Sequence, residues 1–144
     1  MSKRALVVDD SPYIQKELGK ILEKHGCEVV ATASNGLEAV KKYKEVKPDF
    51  VTLDLVMPQM GGLQTLVLLK KIDPQAVVIM VSSMSGKDKI LECAKAGASH
   101  YILKPFEEDK VVEVLQKVVF QGGGGGAAAR GSPGGPRHRY RYRS

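Results

Sequence analysis

The sequence predicts a doubly wound α/β sandwich, a five-stranded parallel sheet with five helices packed on its two faces. Three observations carry this. Five short apolar runs alternate with five amphipathic stretches through residues 1–120. The runs lack the polar alternation of a half-solvated sheet, so each strand is covered on both sides. A body of about 120 residues is long enough to bury one ordinary core without disulfides or structural metal, and right-handed crossovers leave few ways to wind it.

Each element follows from local chemistry. Ala5-Leu6-Val7-Val8 reads as a buried strand ending at Asp9-Asp10. Ser11-Pro12 then supplies an N-cap and a proline at the first helical position. Ile14, Leu18, Ile21 and Leu22 recur on one helical face until His25-Gly26 stops it. Val29 to Ala31 is the second strand. Asn35-Gly36 opens a helix with Leu37, Val40 and Tyr43 inward, closed by Pro48. Phe50 to Asp54 is the third strand, followed by the loop Met57 to Gly62 and a helix carrying Leu63, Leu66 and Val67. Ala76 to Val81 forms the fourth strand and runs into Ser82-Ser83-Met84-Ser85-Gly86. A helix with Ile90, Leu91 and Ala94 ends at Gly97, and His100 to Leu103 is the fifth strand. After Lys104-Pro105, the triplet Glu107-Glu108-Asp109 suits the positive end of a last helix. Val111, Val114, Leu115 and Val118 are that helix's buried face.

Charge separates body from tail. The chain has 144 residues, with 22 Lys+Arg against 16 Asp+Glu. Five arginines and no acid lie in residues 121–144, leaving the body 17 bases against 16 acids. The tail also holds eight of the 15 glycines, so residues 1–120 read as one domain and 121–144 as a low-complexity, disordered extension. The longest apolar run, Ala76 to Val81, is far too short to cross a bilayer. Met1 to Arg4 and the four apolar residues after them make no signal peptide. Cys27 and Cys93 stand apart without CxxC spacing, which suits reduced thiols in a soluble cytoplasmic chain. His25, His100 and His138 form no metal pattern and read as incidental.

In open parallel sheets the chemistry gathers at the carboxyl ends of the strands. Here those ends carry Asp9 and Asp10, then Asp54, Ser82 and Lys104. Gathering three carboxylates is costly unless a cation joins them, and such an oxygen-rich set with an incoming phosphate suits Mg²⁺. Asp54 would be the nucleophile toward phosphorus, Asp9 and Asp10 the metal pair, with Lys104 and Ser82 on phosphoryl oxygens.

Val7-Val8-Asp9-Asp10-Ser11, Leu53-Asp54-Leu55-Val56-Met57-Pro58, Ser82 and Lys104-Pro105-Phe106 together resemble the receiver domain of bacterial response regulators, in the style of the stand-alone chemotaxis-type members. The resemblance spans roughly residues 3–120. It implies the flavodoxin-like strand order 2-1-3-4-5, Asp54 as phosphoacceptor, and Mg²⁺ held by Asp9, Asp10, Asp54 and the backbone carbonyl of Val56. It also implies Ser82 and Tyr101 as switch residues, Lys104 as phosphate ligand and a cis Lys104-Pro105 bond. Tyr101 would turn inward on phosphorylation. Implied partners are a sensor histidine kinase, small acyl phosphates as alternative donors, and a downstream target protein meeting residues 86–97, 100–103 and 107–119. Val56 and Met84 flank the site where many relatives carry polar residues, so self-dephosphorylation is expected to be slow.

Three other readings compete. A haloacid-dehalogenase-type phosphatase needs a second acid two residues after its nucleophile, and that position is Val56. A receiver-like binding module that never takes phosphate would leave the full residue set unused. Nucleic-acid contact, and with it DNA-binding control, rests only on the tail, whose Arg137-His138-Arg139-Tyr140-Arg141-Tyr142-Arg143 interleaves cations with aromatics.

Overall fold

In the computed structural model, which describes residues 2–120, strands β1 (Lys3–Val8), β2 (Cys27–Ala33), β3 (Phe50–Leu53), β4 (Val78–Ser82) and β5 (His100–Leu103) pair in parallel. Their order across the sheet is β2-β1-β3-β4-β5, as the resemblance implied. Helices α1 (Pro12–Lys24), α2 (Gly36–Val46), α3 (Gly62–Ile72), α4 (Lys87–Lys95) and α5 (Glu108–Leu115) fill the crossovers and the C-terminal end. The readings of residues 121–144 lie outside the described residues.

Successive strand side chains point to opposite faces, and the core divides accordingly. Leu6, Val8, Val51, Leu53, Val78 and Met80 pack with Ala39 and Tyr43 of α2, Leu66 and Leu69 of α3, and Cys93 of α4. Ala5, Val7, Phe50, Ile79, Val81 and Ile102 pack on the other side with Leu18 and Leu22 of α1 and Val111, Val114 and Leu115 of α5. Cys27 and Cys93 are free and buried, and burial pushes each thiol up to about 11, so neither is a ready nucleophile. No helix among the described residues is long and apolar enough to cross a membrane.

Side-chain caps fix two helix starts. The Ser11 hydroxyl accepts from the Ile14 N–H at 3.2 Å, and Asn35 Oδ1 accepts from the Glu38 N–H at 2.9 Å. Glu38 reaches back past the cap to accept from the Ser34 N–H at 2.7 Å, tying the approaching chain to the first turn.

The inward assignment of Leu37 fails, since it is 57% exposed, and Leu91 is 52% exposed. The buried stripe of α2 runs Gly36, Ala39, Tyr43, which turns Leu37 about 100° away from the core. In α4 the small Cys93 and Ala94 make the close contact instead. The last helix also departs from its 3.6-residue period. Gln116–Phe120 is a π-helical turn, whose wider winding passes the buried position from Val118 to Val119. His25 is not incidental either: its Nε2 lies 2.6 Å from Glu108 Oε2, joined by Lys24 at 3.1 Å. That pairing ties the end of α1 to the start of α5, and the two partners hold the Glu108 carboxyl below its ordinary value, His25 contributing most.

One core residue is polar without return. Thr52 sits on β3 between Val7 and Ile79, is 3% exposed, and its hydroxyl has no hydrogen-bond partner among the described residues. Burying an unsatisfied hydroxyl is costly. Thr52→Val keeps the shape and removes the orphan, so urea unfolding should register a gain of about 1 kcal/mol. A loss of stability would mean that the hydroxyl is satisfied in solution.

Candidate acidic site at the strand ends

The parallel ladder continues one residue past its strands and so fixes three of the key positions. The Asp9 N–H donates to the Ala33 carbonyl at 3.0 Å, Asp54 to Val8 at 3.1 Å and Lys104 to Ser82 at 2.9 Å. Side chains that sequence alone spaces 95 residues apart thereby meet at one edge: Lys104 Nζ lies 2.8 Å from Asp9 Oδ2 and 3.5 Å from Asp54 Oδ2.

Asp9, Asp10 and Asp54 each offer a carboxylate oxygen within 4.8 Å of the others. Asp9 and Asp54 are buried and Asp10 is exposed. Burial raises the Asp54 carboxyl above its ordinary value; the Lys104 ammonium opposes that shift and the Asp9 charge adds to it. The site therefore holds more negative charge than its single ammonium offsets. Three hard oxygen donors open to solvent on one side fit a small divalent cation that keeps several waters, as Mg²⁺ does. Asp54 Oδ1 also faces the Val56 N–H at 3.5 Å.

Ser82, fully buried, accepts from the Met84 N–H at 3.2 Å. Tyr101 is 5% exposed, donates its hydroxyl to the Met84 carbonyl and lies against the Ser82 hydroxyl. Its ring is thus inward in this structure, whereas the resemblance had it turning inward only on phosphorylation. The backbone of Met84 joins the two side chains. That link has no sequence signal, because peptide groups are present at every position. The Lys104-Pro105 bond is cis, as expected. Beside the carboxylates, Val56, Met57, Leu63, Met84 and Lys89 line a groove of ≈ 400 Å³, and Val56 is 59% exposed at its mouth.

Comparison with known proteins agrees with this geometry. Residues 5–116 match the model of the response regulator receiver domain. The chain is 48% identical over 118 residues to the chemotaxis protein CheY of Thermotoga maritima, covering 82% of this chain and 98% of that one. It is 44% identical over 119 residues to CheY of Bacillus subtilis, with 83% and 99% covered. Among solved structures, the CheX-CheY-BeF3-Mg complex from Borrelia burgdorferi superposes with a TM-score of 0.79 at 36% identity, over 81% of this chain and 88% of that one.

Proposed function

Because the chain belongs to the response regulator receiver family, a family of Mg²⁺-dependent phosphoacceptor signalling proteins, we propose that Asp54 takes the phosphoryl group and that Asp9, Asp10, Lys104 and Ser82 serve it. The observation that carries this is the meeting of three carboxylates with one ammonium at the strand ends. Asp9, Asp10, Asp54 and the backbone carbonyl of Val56 would hold Mg²⁺, which supplies charge neutralisation to the phosphoryl oxygens when bound.

An Asp54 carboxylate oxygen attacks phosphorus and forms an O–P bond. The P–N bond of a phosphohistidine on a sensor kinase breaks, or the P–O bond of a small acyl phosphate, and the leaving group departs with the electron pair. Lys104, already between Asp9 and Asp54, gives its ammonium to one phosphoryl oxygen. Ser82 gives its hydroxyl to another and leaves the Met84 N–H to do so. Since Met84 also receives the Tyr101 hydroxyl, that exchange pulls on the loop between β4 and α4. Tyr101 then follows the loop from a position that is already inward. The altered face comprises α4, β5 and α5, where Leu91 and Leu103 stand exposed, and it meets a downstream target protein. The chemotaxis relatives support the same pathway for this chain.

Intact mass after incubation with an acyl phosphate tests the reading. One phosphoryl adduct is expected, and only with Mg²⁺; its absence under both conditions would leave a binding module that takes no phosphate. Dephosphorylation is expected to be slow once the donor is removed, because neither Val56 nor Met84 can orient a water. Met84→Gln, which offers an amide to that water, should shorten the lifetime several-fold. A wild-type lifetime of only seconds would overturn the expectation.

A further inference from the structure

Of the three carboxylates, Asp10 is the one that its own surroundings do not aim. Asp9 is held at both oxygens, Oδ1 accepting from the Ser11 N–H at 3.0 Å and Oδ2 meeting Lys104 at 2.8 Å. Asp54 is buried and faces Lys104 and the Val56 N–H. The Asp10 carboxylate is exposed, and among the described residues it forms no hydrogen bond or ion pair. What the fold fixes of Asp10 is therefore the direction of its Cα–Cβ bond, which follows the peptide that joins it to Asp9.

That peptide has one side-chain anchor among the described residues. Gln15, on the first turn of α1, donates its amide to the Asp9 carbonyl at 2.6 Å. The same nitrogen reaches the Ala33 carbonyl at 3.3 Å and the Ser34 hydroxyl at 3.4 Å. Two of the three partners are carbonyl oxygens, which only accept, so the –NH₂ end of the amide must face them. Gln15 thus pins the Asp9–Asp10 peptide plane to the end of β2. The side chain is half-buried and does not itself reach the carboxylates.

We propose that Gln15 is a positioning residue for the divalent-cation site, acting through the Asp9 carbonyl to hold the Asp10 carboxylate where it converges with Asp9 and Asp54. The proposal rests on the Mg²⁺ reading above and adds a residue to it. Groups that orient metal ligands from behind commonly govern metal affinity by an order of magnitude or more.

The test is Mg²⁺ titration calorimetry at fixed ionic strength on the full chain, Gln15→Met and Gln15→Arg, with thermal unfolding measured in the absence of metal. Methionine keeps the length and helix preference of glutamine and loses the donor; arginine restores a donor at similar reach. Gln15→Met is expected to weaken Mg²⁺ binding about tenfold, with Gln15→Arg within about twofold of wild type. Wild-type affinity in Gln15→Met, or a Gln15→Arg as weak as Gln15→Met, overturns the proposal. A lower unfolding midpoint with unchanged Mg²⁺ affinity would make Gln15 a purely structural clamp, also overturning it. If the wild-type chain binds no Mg²⁺, the failure lies with the metal site itself and the positioning role falls with it. Should Gln15→Met fail to fold, Gln15→Ala takes its place under the same criteria.

Discussion

Asp54→Asn is expected to abolish the Mg²⁺-dependent phosphoryl adduct and, at the same time, to make the metal-free protein more stable at neutral pH. The first effect follows from chemistry, since an amide oxygen is a poor nucleophile toward phosphorus and cannot form the acyl phosphate. The second follows from electrostatics. Burial raises the Asp54 carboxyl above its unfolded value of 3.8, Lys104 opposing and Asp9 reinforcing the shift. A carboxyl raised in the folded state contributes stability that is fully present below pH 3.8 and lost as pH rises through the folded value. At pH 7 the ionised Asp54 is therefore a net cost, which asparagine removes. The gain is expected to be small, because the change also leaves Lys104 with Asp9 as its one remaining carboxylate partner among the described residues. The difference between the two proteins should shrink toward pH 4 and again on adding Mg²⁺, which stabilises only the state that binds it. Intact mass and urea unfolding from pH 4 to pH 7 check both halves. An adduct surviving in Asp54→Asn would move the acceptor elsewhere, and a less stable Asp54→Asn would mean that the site welcomes the charge without metal.

Gly62→Ala should cost roughly 3 kcal/mol, although alanine in a helix ordinarily helps by about 1 kcal/mol over glycine. Gly62 opens α3 directly against the end of β3. A Cβ there would lie 2.1 Å from the Asp54 carbonyl oxygen and 2.6 Å from the Leu55 Cα. Both are backbone atoms, which cannot swing aside as a side chain can. The Gly62 N–H already donates to the Leu55 carbonyl at 2.8 Å, so retreat of the helix would break that bond and displace Asp54. Gly61→Ala is the control, because its Cβ would stand an ordinary 3.5 Å from the Leu55 carbonyl. Urea unfolding of the pair decides the matter; a Gly62→Ala protein as stable as wild type would show that this approach is not tight in solution.

Much of the molecule was legible from the chain alone, for reasons visible in particular residues. The strands came from β-branched and leucine runs without polar alternation. The start of α1 came from Ser11-Pro12, whose cap the structure forms, and the start of α2 from Asn35-Gly36. That Asp9, Asp10, Asp54, Ser82 and Lys104 lie at one edge could be expected because a parallel sheet sends all its carboxyl ends there. The inward faces were less secure. Leu37 and Leu91 are as apolar as their neighbours, and hydrophobicity alone does not say which side of a helix meets the sheet when Ala39, Cys93 and Ala94 leave room for close approach.

Tertiary structure decided what depends on atoms distant in the chain. The order of elements, the residue types at the strand ends and the charge division between body and tail could be read without it, since these rest on periodicity, residue type and local capping. Only the folded arrangement decided that Lys104 binds Asp9 more closely than Asp54, that Tyr101 already points inward on the Met84 carbonyl, and that Gln15 holds the Asp9–Asp10 peptide. The physical reason is the same in each case. These contacts use backbone carbonyls or carboxylate oxygens as acceptors, and which acceptor a donor reaches is fixed by ångström distances between elements that no local pattern encodes.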